Sequence, residues 1–163
     1  MDIRVKHPLQ VDLESAFKLC TEGKALEDTY AQLGGTDVRI KREGRAPNVR
    51  IKVSRKMPAD APAAIKRFVP AVNEVRHTEV WRREGDYHVA DIEVEIKGVP
   101  VKIAGTKALS AEKKGSKVEW HFAVTSGVPL LGRVIAGFAA EQLKGTLEDE
   151  AAILKKKTVA GSG

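Results

Sequence analysis

The chain has 163 residues, with 28 Lys and Arg against 22 Asp and Glu, 5% aromatics and one cysteine. A chain of this length forms one domain that buries roughly 70% of its unfolded surface, and the lone Cys20 excludes an internal disulfide framework and reads as a small buried hydrophobe. The net charge of +6 invites a nucleic-acid partner, but the basic residues are interleaved with acids rather than gathered beside aromatics, so no nucleic acid is expected.

Residues 1–10 are charged and alternating rather than apolar, and no run approaches the ~20 apolar residues of a membrane span. A cytoplasmic protein is the expectation. Ile3, Val5, His7 and Leu9 alternate with Asp2, Arg4 and Lys6, the period of a half-buried strand. Asp12 stands as an N-cap before Leu13, Ala16, Phe17, Leu19 and Cys20 at helical spacing, and a second short helix carries Leu26, Tyr30 and Leu33 up to Gly34-Gly35.

From Thr36 onward the period is two. Val38 and Ile40, then Val49, Ile51, Val53 and Met57, form a hairpin about a turn at residues 44–47. Residues 61–69 read as a brief amphipathic helix, with Ile65, Phe68 and Val69 opposite Lys66 and Arg67, placed where it can act as a lid. The next strand sets Val75, His77, Glu79 and Trp81 on one face and Val72, Glu74, Arg76, Thr78 and Val80 on the other. Ala90, Ile92, Val94 and Ile96 follow, then Val101, Ile103, Gly105 and Leu109, then Val118, Trp120, Phe122 and Val124. The outer row Asp91, Glu93, Glu95 is expected to face Lys102 and Lys107 on the neighbouring strand.

Residues 128–157 read as one long helix opening at Pro129. Its apolar stripe, Leu131, Val134, Ile135, Phe138 and Ala139, is expected to rotate by about a third of a turn to Leu143, Leu147, Glu150 and Leu154. The first half then walls a pocket, and the second faces the N-terminal helices or a partner. A single domain over residues 1–157 with a disordered tail at 158–163 is expected.

The order strand, two short helices, six-stranded meander and long C-terminal helix resembles the START-like, Bet v 1-like (SRPBCC, polyketide cyclase-like) superfamily with its helix-grip fold. Within it the chain is similar to a bacterial family of uncharacterised domains, through Lys56-Met57-Pro58-Ala59-Asp60, Thr78-Glu79-Val80-Trp81, Gly105-Thr106, Val128-Pro129-Leu130-Leu131-Gly132 and Ala140-Glu141-Gln142. The resemblance implies an α+β fold in which a curled seven-stranded antiparallel sheet wraps the last helix and encloses a pocket for a lipid or other apolar molecule. It brings no shared catalytic residue and no cofactor.

The inward positions make up the candidate ligand-binding set. Ile40, Ile51 and Val53 come from the hairpin and Phe68 from the lid. Val75, His77, Glu79 and Trp81 come from the following strand, and Ile92, Val94 and Ile103 from the next two. Trp120 and Phe122 lie on the last strand, and Leu131, Ile135 and Phe138 on the helix. Plain core packing is the competing account of the aromatics.

His77 and Glu79 are candidates for a general acid/base pair if their face points inward. The competing reading is exposure at a bulge or edge, or a hydrogen bond to a helix end, so no catalytic residue is assigned. His7, His77, His88 and His121 lack the spacing of a metal site, and none is expected.

Three functions follow as expectations. The first is carriage or sensing of a hydrophobic or amphipathic small molecule, with His77, Glu79 or Arg55 orienting its head group. The second is a cyclase-like or other proton-transfer enzyme acting on such a ligand. The third is an interaction module whose basic helix end, Lys144 and Lys155 to Lys157, makes weak contact with an anionic membrane, or with a protein. The sequence does not specify an oligomeric state.

Overall fold

The computed structural model describes residues 1–161. The alternating segments become β1 Asp2–Leu9, β2 Thr36–Arg45, β3 Asn48–Pro58, β4 Val72–Glu84, β5 Tyr87–Ile96, β6 Lys102–Ala111 and β7 Ser116–Thr125. They form one seven-stranded antiparallel sheet in the order β1-β7-β6-β5-β4-β3-β2. Between β1 and β2 lie α1 Leu13–Thr21 and α2 Gly23–Gln32, and the chain closes with α3 Gly132–Gly161. Asp12 caps α1 as its sequence position requires, its Oδ1 accepting from Ser15 N–H at 3.0 Å.

The concave face of the sheet carries the core. Ile3, Val5, Ile51, Val53, Trp81, Ile92, Leu109, Val118, Trp120 and Phe122 are buried there with Phe17, Cys20, Leu26 and Tyr30 of the two short helices. Gly105 on β6 is the point of closest approach: a Cβ there would stand 2.8 Å from the Phe122 ring. Only glycine lets β6 and β7 curl together beneath that ring.

Four sequence-based expectations are corrected. The long helix begins at Gly132 rather than Pro129. Leu130 takes φ 66° and is fully exposed, so residues 128–131 form a turn closed by Gly132 N–H to Val128 O at 2.8 Å. A positive φ at a leucine is incompatible with continuous α backbone.

The disordered tail expected from 158 is helix over residues 158–161, where α3 continues through Gly161. Thr158 is fully buried and its hydroxyl donates to Lys155 O at 2.8 Å. Residues 162–163 of that expected tail lie outside the described residues.

The buried stripe of α3 rotates less than expected, with Ile135 in the lid cluster and Leu147, Ala151 and Leu154 in the main core. Ile135, Ala136, Ala139, Ala140, Leu147, Glu150, Ala151, Leu154 and Thr158 continue one face, and Val134 is 44% exposed. Alanines, which the pattern of large side chains passes over, supply the continuity at i, i+3 and i+4.

Residues 61–69 hold a single 3-10 turn, Ala63–Ile65, followed by further tight turns, in place of a helix. Ile65 N–H bonds Pro62 O and Phe68 N–H bonds Ile65 O, and the segment between Pro62 and Pro70 is too short for α propagation. Its apolar side is as expected: Ile65 and Val69 are buried against Val99 and Ile135.

Candidate functional site: a paired polar cluster beside an apolar cavity

β4 supplies the first half of the site. Asn73, Val75, His77, Glu79 and Trp81 all point into the barrel-like interior and are buried. His77 and Glu79 are therefore inward, without a bulge, with Val53 and Ile51 opposite them on β3.

Arg55 Nη1 lies 2.8 Å from His77 Nδ1, and a guanidinium only donates, so Nδ1 is the acceptor and the ring proton sits on Nε2. His77 Nε2–H donates to Glu79 Oε2 at 2.8 Å, with the Tyr30 hydroxyl 3.2 Å from the same nitrogen. The other carboxylate oxygen, Glu79 Oε1, accepts from Trp81 Nε1–H at 2.9 Å. Arg55 also stacks over the Tyr30 ring, 4.6 Å from its centroid.

Lys107 completes the cluster and corrects a further expectation. The sequence pattern placed it outside with Lys102, facing the acidic row. It shares parity with Ile103, Gly105 and Leu109 on β6, so it points inward and is buried, while Lys102 is exposed. Lys107 Nζ donates to Glu150 Oε2 of α3 at 2.9 Å and lies 5.2 Å from the Trp120 ring centroid. Asp91 and Glu93 pair with Thr106 and Ala104 instead, and Asp91 is held by Arg82 of β4 at 2.7 Å.

The electrostatics follow from burial and pairing. Burial, and then the nearby Arg55 charge, hold His77 below the ordinary imidazole value despite its bond to Glu79. Burial alone would raise the Glu79 carboxyl, but His77, Lys107 and the Trp81 N–H outweigh it and leave Glu79 below the usual carboxylate value. Burial would likewise lower Lys107, yet the surrounding Cys20, Glu150, Glu79 and Tyr30 hold it well above the usual lysine value. Cys20, fully buried beside this cluster, is pushed up by desolvation and is a poor nucleophile.

Two cavities flank Arg55. The inner one, about 40 Å³, lies among Tyr30, Arg55, His77, Glu79, Lys107, Trp120, Phe122 and Glu150, and has the volume of about one water molecule. The outer one, about 130 Å³, opens between β3, β4, β5 and the N-terminal half of α3. Its wall is Met57, Pro58, Ala59, Val69, Val75, Val94, Ile96, Val99, Ile103, Ile135, Phe138, Ala139 and Leu143, with Arg55, Asn73, Gln142 and Thr146 as its polar members.

Of the sequence-derived ligand-binding set, Val75, Val94, Ile103, Ile135 and Phe138 border the outer cavity. His77, Glu79, Ile92, Trp120 and Phe122 border the inner one, as Val94 also does. Ile51, Val53 and Trp81 are core, Phe68 and Leu131 pack on the lid cluster, and Ile40 lies partly buried on edge strand β2; these six border neither cavity.

Asn73, Gln142 and Thr146 were missed, as were Tyr30, Lys107 and Glu150 among the polar groups. Strand parity with Val75 or Ile103 would have found Asn73 and Lys107. Helical spacing from Phe138 and Leu143 would have suggested Gln142 and Thr146.

A sheet curled around α3, with two short helices after the first strand, is a helix-grip fold. Solved structures share it across nearly the whole chain. TTHA0849 from Thermus thermophilus is 15% identical, with 100% of each chain covered and a TM-score of 0.70. A STAR-related lipid transfer protein fragment from Xanthomonas axonopodis is 13% identical, covering 94% of this chain and 85% of that one, at a TM-score of 0.61. The di-domain ARO/CYC StfQ of the steffimycin biosynthetic pathway is 12% identical, covering 99% of this chain and 52% of that one, at 0.64.

Residues 4–156 match the family described as protein of unknown function (DUF2505), and the chain belongs to that family. No curated protein matches it by sequence.

Proposed function

We propose that the protein binds a small apolar or amphipathic molecule between its sheet and α3, as a carrier or sensor. The observation that carries this reading is the 130 Å³ cavity with its aliphatic wall, since an apolar hollow with a few placed polar groups is how small-molecule sites are built. Filling it would remove Val94, Ile96, Phe138 and Leu143 surface from water at about 25 cal/mol per Å². The volume suits a compact ligand, and a longer lipid-like chain requires the lid segment, held by Ile65 and Val69, to move outward. Among proteins of this fold, one is named for lipid transfer and another as an ARO/CYC protein of a biosynthetic pathway.

Binding is preferred over proton transfer because His77 has both ring nitrogens engaged and Glu79 both carboxylate oxygens. A base whose lone pair already accepts from Arg55 has none to offer a substrate. Of the basic helix end, Lys157 is spent on Ala25 O and Thr29 Oγ1 of α2, while Lys144 and Lys156 remain exposed.

Native mass spectrometry of protein from its source, followed by release of any bound species, tests the reading. A co-purifying apolar molecule that is lost in Ala139→Phe, a variant that fills the cavity, is the expected result. Wild-type protein that carries no ligand and takes up no apolar probe overturns it.

A further inference from the structure

The buried charges are unequally served. Glu79 holds His77 and Trp81, and Lys107 holds Glu150. Arg55, only 9% exposed, has no ion pair among the described residues. Its Nη1 donates to a neutral imidazole, and its Nε–H, fully buried, has no hydrogen-bond partner. Burial lowers the Arg55 guanidinium below its usual value, and Glu150 and Glu79 act on it only from a distance, with no carboxylate bonded to it.

A second orphan lies nearby. Asn73, 5% exposed, spends its Nδ2 on Pro70 O at 2.8 Å and leaves Oδ1 buried without a donor. In the β3–β4 register Arg55 faces Val75 and Met57 faces Asn73, so the two orphans sit diagonally on the same inner face. Both border the 130 Å³ apolar cavity.

We propose that the cavity takes a compact organic monoacid, its carboxylate on the Nε edge of the Arg55 guanidinium and its apolar body against Val99, Ile135 and Phe138. This assignment rests on the binding reading above and specifies its ligand class. A carboxylate matches the planar fork of a guanidinium with charge-assisted hydrogen bonds. A phosphate dianion is a poorer match, because among the described residues Arg55 is the one cation bordering this cavity and its remaining wall is largely aliphatic.

The volume sets the body: an engineered cavity of ~150 Å³ holds benzene, so a ring or a short aliphatic chain fits. Asn73 Oδ1 is then the acceptor for a hydroxyl on the same molecule, and a hydroxylated acid is the better ligand.

The test is calorimetric titration of the full chain with benzoate and hexanoate, with their neutral amides benzamide and hexanamide, and with benzene. The acids are expected to bind about tenfold or more tightly than the amides, the worth of one charge-assisted bond. Arg55→Gln should erase that preference while benzene still binds. Amides or benzene binding as tightly as the acids overturns the acid assignment and leaves the cavity reading standing. Failure of all five probes, benzene included, defeats the cavity reading and the assignment with it. Should Arg55→Gln not fold, the acid against amide comparison on wild-type protein decides alone, and Arg55→Lys supplies the charge without the fork.

Discussion

The two faces of Arg55 look onto regions built on opposite principles. On one side, Tyr30, His77, Glu79, Trp81, Lys107 and Glu150 form a polar cluster in which both carboxylates have partners at 2.8 to 2.9 Å. On the other, an aliphatic hollow leaves Arg55 Nε and Asn73 Oδ1 without any. Buried polar groups that satisfy one another rigidify a fold, whereas orphaned ones beside open volume mark where something else completes the set. The comparison separates architecture from site, although the residues with the most suggestive chemistry, His77 and Glu79, fall on the architectural side.

The largest expected effect comes from breaking the paired cluster. Glu79→Ala strips His77 and Trp81 of their acceptor and leaves Lys107 and Arg55 with less counter-charge, and should cost about 3 to 5 kcal/mol in denaturant unfolding. Phe122→Ala, at a core position 3% exposed, should cost a similar 3 to 5 kcal/mol. Phe138→Ala, on the cavity wall, should lose less than ~3 kcal/mol because part of that ring already faces open volume. Equal losses at the two phenylalanines would erase the distinction between core and site.

Gly105→Ala comes next. The added Cβ meets the Phe122 ring and the β7 backbone, where overpacking costs about 1 to 3 kcal/mol.

Acid sharpens the same contrast. His77 titrates lower in the folded protein than its usual 6.5, so below that pH the unfolded chain binds more protons. Stability is therefore complete above pH 6.5 and falls as pH drops through the folded value, with Glu79 adding a second loss below its ordinary 4.5. Thermal melts from pH 7.5 to 5 should show the first decline in wild-type protein, and His77→Gln should flatten it. The smallest effect belongs to the surface: removing the Arg82 and Asp91 pair should change stability by about 0 to 1 kcal/mol.

Much of this fold was legible because alternation is a local signal. Ile3 to Leu9, Ile92 to Ile96 and Val118 to Val124 each announce a strand and its inner face without reference to any other segment. The helix boundary was not, because nothing in the composition of residues 128–131 reveals that Leu130 adopts a positive φ.

The site was half legible. Val75, Ile135 and Phe138 follow from apolar spacing. Lys107 shares the inward parity of Ile103 and Leu109 against its charge, and tertiary pairing with Glu150, which no local pattern shows, is what makes an inward lysine tolerable. Asn73 carried its parity in plain view. Its orphaned Oδ1, which makes it interesting, depends on Pro70 and the lid and cannot be read from strand pattern.

The central claim is that the hollow under the N-terminal half of α3 is where a ligand sits. Methyl-resolved NMR during titration with benzene tests it most directly. Saturable shifts at Ile135, Ile103 and Val99, with Ile51 and Val49 in the main core unmoved, are the result this account predicts. Shifts absent from Ile135 and Ile103 at saturation, or confined to the Ile51 and Val49 side, would contradict it.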